Sequence, residues 1–168
     1  MLFRSIVNQY ATPQTLGKDR LAGAVGAASL FPGQASLVID AGTCIKYDFV
    51  TAQGEYKGGS ILPGIGMRFE ALNHYTARLP LIEMKPLENF IGDTTETAIR
   101  SGVQLGVLFE AEGFIAQYQA TFGNINVILT GGDADYFVSA LKIPIFAAPE
   151  LILTGLFQIL HHNVHTIR

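Results

Sequence analysis

The sequence runs to 168 residues with a net charge of −3; 49% of it is apolar and only 15% charged. That balance excludes a disordered chain, and the absence of a basic run or surplus positive charge gives no reason to expect nucleic-acid binding. No apolar stretch reaches the roughly eighteen residues that a membrane-spanning helix needs, so no membrane partner is expected either.

The length suits one domain with a proper core, or one domain plus part of another. The single cysteine, Cys44, cannot form an internal disulfide, and Met1 to Arg4 leads into polar residues rather than an apolar signal core. A soluble protein of the reducing cytoplasm is therefore the expectation.

In chain order, residues 17–30 read as a helix, with Asp19 and Arg20 near its start and Leu21, Ala24, Val25 and Ala28 at helical spacing. Phe31-Pro32-Gly33-Gln34 ends it. Ser36 to Asp40 is a β-rich run, Gly42-Thr43 a turn, and Ile45 to Val50 a second run. Gln53-Gly54 turns the chain again, into strands near Glu55–Gly58 and Ser60–Leu62 that complete an antiparallel meander. A short helix follows over Met67–Tyr75.

The longest helix is predicted to start near Thr94, with Ile99, Val103, Val107, Phe114 and Tyr118 along one stripe. Gly102, Gly106 and Gly113 lie on a neighbouring face, and three helical glycines predict close approach of another backbone, within the domain or in a second copy. Val127 to Thr130 is a buried strand ending in Gly131-Gly132-Asp133, then a helix. Ile143–Phe146 is a last strand and Pro149 to His162 a last helix. This order predicts an α/β, ribonuclease-H-like domain with a mixed sheet over residues 36–168. Residues 1–35 then have no sheet of their own.

Four segments could carry chemistry. In Asp40-Ala41-Gly42-Thr43 an acid ends a strand beside a glycine turn and a hydroxyl. Such a hairpin can cradle phosphate oxygens while the carboxylate holds a cation, and it serves an ordinary β-turn as well. Thr130-Gly131-Gly132 offers bare backbone to a ligand, or simple turn chemistry. In Gly17-Lys18-Asp19-Arg20, Asp19 could be a general base and Arg20 an anion clamp; an acid at a helix start also suits the helix dipole. Thr94 and Thr97 suit helix capping. His161, His162 and His165 match a metal site in composition only and read as a solvated helix end.

Taken together and in order, these segments resemble the type III pantothenate kinases. The likeness rests on Tyr10, Thr12-Pro13, Gly17-Lys18-Asp19-Arg20, Asp40-Ala41-Gly42-Thr43, Gly58-Gly59, Pro63-Gly64, Thr76-Ala77-Arg78-Leu79-Pro80, Ile91-Gly92, Thr95, Ser101-Gly102 and Thr130-Gly131-Gly132. The family belongs to the acetate and sugar kinase, Hsp70 and actin superfamily, whose members pair two ribonuclease-H-like domains around ATP.

The resemblance implies ATP-dependent phosphorylation of pantothenate, with Mg²⁺, a monovalent cation (potassium or ammonium) and a homodimer. Asp19 would be the catalytic base. Tyr10, Gly17, Lys18, Arg20 and Thr95 would contact pantothenate, and Gly42, Thr43, Thr130, Gly131 and Gly132 would contact ATP. Asp40 would hold the monovalent cation.

Two departures stand out. The family's opening Asp-x-Gly-Asn-Thr-x-x-Lys phosphate hairpin is absent from the sequence, so residues 1–35 are expected to be the remnant of a first such domain in an N-terminally shortened enzyme. Turnover by this chain would then be impaired. Lys46 also stands where the family often has threonine or another small residue. The alternative to the kinase is a non-catalytic dimeric or regulatory module of the Bvg accessory factor type. A different kinase of the superfamily fits less well, because the Gly-x-Asp-Arg and Thr-Ala-Arg-Leu-Pro segments point to pantothenate.

Overall fold

The computed structural model describes residues 6–87 and 89–166, with backbone alone for 165 and 166. Its centre is the antiparallel meander β2 (Ser36–Ala41), β3 (Cys44–Val50) and β4 (Glu55–Pro63). β5 (Asn126–Thr130) joins β2 in parallel, and the short β6 (Phe146–Ala147) follows it. At the far edge β1 (Val7–Asn8) pairs in parallel with β4, giving the order β1-β4-β3-β2-β5-β6. The helices are α1 (Lys18–Leu30), α2 (Ile65–His74), α3 (Thr95–Phe122), α4 (Ala134–Ala140) and α5 (Leu151–Thr166). The mixed sheet, its meander and the parallel β5 and β6 make the predicted ribonuclease-H-like fold. No helix among the described residues is long and apolar enough to cross a membrane.

Strand alternation sorts the side chains into two cores. Leu37, Ile39, Ile45, Tyr47 and Phe49 face α2, α3 and α4. The predicted stripe of α3 is the one that meets them: Phe114 stacks on Tyr47 at 4.2 Å between ring centroids and Tyr118 lies 5.2 Å from Phe49, with Phe122, one turn further on, stacked on Phe49 at 4.3 Å. Thr94 caps α3 through a reciprocal pair of hydrogen bonds with Thr97, as its sequence position suggests. On the other face Val38, Val50, Tyr56 and Ile128 pack with Ala24 and Ala27 of α1 and Leu151 of α5.

The helices α1 and α5 touch backbone to backbone. A methyl group on Gly155 would collide with the Ala22 carbonyl, and one on Gly26 with the Leu151 carbonyl. Small residues at the crossing are what let the two axes approach so closely. The outer side of α5, in contrast, leaves Leu153, Leu156, Phe157, Leu160 and Val164 exposed.

Some expectations change. The two strands near residues 55–62 are one strand; Gly58, at φ +90°, with a register shift at Phe49/Val50, makes a bulge where the glycine pair looked like a break. The last strand narrows to Phe146–Ala147, and β1 has no counterpart in the sequence reading. Among the described residues, nothing beyond the helix's own backbone lies within 4 Å of a side chain placed at Gly102, Gly106 or Gly113, so the backbone approach foreseen for them is not made there. The helix α1 lies on the face of the same sheet, in a core shared with β2 and β3.

Candidate active site

The strand β3 alternates Ile45, Tyr47 and Phe49 toward α3 with Lys46 and Asp48 toward α1. The polar side of such a strand normally meets water. Here α1 covers it and supplies partners. Lys46 stands directly across from Asp40 in the β2–β3 ladder, and its ammonium reaches an Asp40 carboxylate oxygen at 2.6 Å. The same ammonium donates to Asp19 in the first turn of α1, also at 2.6 Å. One cation thus ties β2, β3 and α1 together.

Asp19 is the exposed member of that trio, with 47% of its side chain accessible. The hydrogen bond from Lys46 holds its carboxyl below the ordinary carboxylate value; partial burial opposes this, while the Lys46 charge and backbone amides at Asp19 and Arg20 reinforce it. Burial works against the charge on Lys46, yet its bonds to Asp19 and Asp40 outweigh that and raise its pKa. At neutral pH the group is therefore an ionised carboxylate beside an ammonium, open to a hydroxyl arriving from solvent.

Arg20, the next residue, turns inward and is 6% exposed. Its Nε donates to Asp48 at 3.0 Å and its Nη2 at 2.7 Å, a two-nitrogen grip on one carboxylate. The Tyr56 hydroxyl donates to the same Asp48 oxygen at 2.6 Å, and the Tyr10 ring lies 5.5 Å from the guanidinium. Burial disfavours the Arg20 charge, but Asp48 more than restores it, while burial and then the Asp48 carboxylate push the Tyr56 hydroxyl up. Asp48 and Tyr56 had no role in the sequence reading. The two-residue step from Lys46 to Asp48 on one strand is the signal that places both opposite α1.

At the carboxyl ends of β2 and β5 two turns lie side by side, since Asp40 pairs with Thr130 in the ladder. Gly131 sits at φ +98°, and a side chain there would strike the Ala41 carbonyl and come within 2.6 Å of Asp40 Oδ1. Gly131→Ala is expected to lower stability by about 1–3 kcal/mol, from strain at this backbone angle, with a matching fall in Tm. An unchanged Tm would mean that the turn relaxes freely. The Thr130 hydroxyl is buried and donates to the Pro149 carbonyl at 3.3 Å, so it anchors the turn rather than facing outward. Gly42 and Gly132 have open space beside them, and Thr43 is exposed. Next to Asp133 a cavity of about 330 Å³ is lined by Ile65, Gly66, Phe69, Leu81 and Met84 among others.

The structure thus gathers Tyr10, Gly17, Asp19, Arg20 and Asp40 around the start of α1, close to the turns that hold Gly42, Thr43, Thr130, Gly131 and Gly132. Lys18, the first residue of α1, points to solvent. Thr95 is not brought in. It opens α3 on the opposite face of the sheet, beside a cleft of about 750 Å³ that also holds Arg68, Leu72, Leu79, Ile99 and Gly102. Among the described residues no three His, Cys, Asp or Glu side chains come together to hold a metal.

Comparison with known proteins gives the family. Residues 3–117 match the family model for type III pantothenate kinase. The type III pantothenate kinase of Flavobacterium johnsoniae is 48% identical over 157 residues, covering 94% of this chain and 64% of the relative. That of Phocaeicola vulgatus is 51% identical over 158 residues, covering 94% of this chain and 65% of the relative. The chain therefore spans just under two thirds of the length of these curated relatives. A solved structure of a Baf family protein from Campylobacter jejuni superposes with a TM-score of 0.66 at 23% identity, over 97% of this chain and 70% of that one, which is a likeness of fold. With both the family model and these relatives matching, the chain belongs to the type III pantothenate kinase family.

Proposed function

We propose that the protein carries the ATP-dependent phosphorylation of pantothenate to 4'-phosphopantothenate, the first step of coenzyme A biosynthesis. The observation that carries this reading is the position of Asp19. An open, ionised carboxylate at the start of α1 faces the two turns at the carboxyl ends of β2 and β5, the end of an α/β sheet at which ligands bind.

Adenosine would enter the cavity beside Asp133, and its phosphates would cross the exposed backbone of Gly131-Gly132 and Gly42-Thr43. That path brings the γ-phosphate toward Asp19. The pantothenate hydroxyl oxygen attacks the γ-phosphorus, the bond to the bridging β,γ-oxygen breaks, and ADP leaves. Asp19 takes the hydroxyl proton. Most of the rate would come from positioning and charge, as is general for phosphoryl transfer. Mg²⁺ would arrive with the nucleotide and neutralise its phosphates. Tyr10, Gly17 and Lys18 would line the pantothenate side, with Arg20 acting through its grip on Asp48.

Thr95 lies on the wrong face of the sheet to meet the same pantothenate molecule. Its assigned contact therefore requires a second copy of the chain, which supports a homodimer. We also assign residues 36–168 to the second ribonuclease-H-like unit of a cytoplasmic protein and residues 1–35 to the remnant of a first, held against the second through β1 and α1. The test is ADP release from ATP and Mg²⁺, with and without pantothenate. Residues 1–168 alone are expected to turn over slowly, because one missing oxyanion or phosphate donor typically removes about 10²–10³ in rate. Joining the relatives' first phosphate hairpin to the chain should restore pantothenate-dependent release. If the extended chain released no ADP, the non-catalytic, Bvg accessory factor-like reading would replace the kinase.

A further inference from the structure

Lys46 has no part in the proposed reaction, yet its ammonium occupies the middle of the site. It lies 2.6 Å from an oxygen of Asp40 on one side and 2.6 Å from an oxygen of Asp19 on the other. Its side chain is only 18% exposed, and its stem rises from β3 directly opposite Asp40. The family likeness puts a free potassium or ammonium ion on Asp40. The residues present do not fit one, because the position beside that carboxylate already holds a single positive charge. A lysine ammonium carries the same charge as either ion and donates hydrogen bonds as free ammonium does. Being tethered to β3, it never has to be recruited from solution.

We propose that Lys46 is the built-in monovalent cation of this protein: its ammonium replaces a free ion on Asp40 and holds Asp19 in place from the other side. Only the naming of Asp19 as the base rests on the kinase reading; the occupancy of the Asp40 site does not. The proposal also gives Lys46 a reason to stand where a small residue would leave room for an ion.

The test is thermal melting of the whole chain in the chlorides of potassium, ammonium and choline at equal ionic strength. The wild type should have the same Tm in all three salts. Lys46→Met and Lys46→Thr should melt lower in choline, where two carboxylates face each other without a cation. Both should then recover by several degrees in potassium or ammonium, as an ion binding only the folded state raises Tm. A thallium(I) titration followed by its NMR line width should detect binding to the two variants and none at this site in the wild type. Where turnover is measurable, the wild-type rate should be indifferent to potassium and the variant rates should depend on it. A wild type stabilised by potassium as much as its variants, or variants indifferent to every salt, would overturn the proposal. The melting and thallium results stand whether or not the chain proves to be a kinase.

Discussion

Asparagine in place of Asp19 is expected to lower pantothenate-dependent ADP release by about 10²–10⁴-fold, the usual worth of a positioned proton acceptor. The amide keeps the shape of the carboxylate and can still accept from Lys46, but it cannot take the hydroxyl proton. Stability should barely move, since a half-exposed ion pair contributes about 0–1 kcal/mol. Lys46 also keeps Asp40 as a partner. The comparison is kcat and KM for the two proteins in the extended form, with Tm as the control. Loss of kcat at constant Tm and nearly constant KM supports proton acceptance. A variant that kept most of its rate would remove Asp19 from that role.

The neighbouring residue should behave in the opposite way. Arg20→Ala strips both nitrogen donors from a carboxylate that is 2% exposed and leaves its charge buried with only the Tyr56 hydroxyl. Breaking a buried pair in this manner costs about 3–5 kcal/mol, a large part of the roughly 5–15 kcal/mol that keeps a domain folded. Urea unfolding should show a clear fall in midpoint for Arg20→Ala. The double variant Arg20→Met with Asp48→Leu should regain much of it, because replacing both charges by apolar groups removes the stranded carboxylate. If Arg20→Ala unfolded at the wild-type midpoint, the Asp48 contact would carry no stability and Arg20 would be free for substrate.

The contrast between these two positions bears on what could be read in advance. The β-rich run of β3 and the stripe on α3 are legible because each answers to one buried face, and the structure pairs them as Tyr47 with Phe114 and Phe49 with Tyr118. The turn at Asp40 and the paired glycines at 131 and 132 were legible as local chemistry. That Asp40 and Thr130 are ladder partners was not, since it depends on β5 arriving beside β2 from far along the chain. As a local motif Arg20 reads as an anion clamp, because nothing near it in sequence supplies a carboxylate for it to grip. What turns it inward is Asp48, 28 residues along the chain on the side of β3 that α1 covers. Lys46 registered only as an unusual residue for the family, since its two partners come from β2 and α1. The short β1 and the narrowed β6 carry too few residues for a periodic signal.

The seam between α1 and α5 has a consequence for how the protein is made. The seat of α1 is completed by Leu151 and Gly155, near the other end of the sequence. During synthesis at about 5–20 residues per second, α1 leaves the ribosome on the order of ten seconds before α5 exists to receive it. In that interval Asp19 and Arg20 have no fixed orientation, and the small apolar face of α1 is open to other surfaces. The proposed proton acceptor is thus made well before the helix that completes its seat, and it reaches its working position only once that helix arrives.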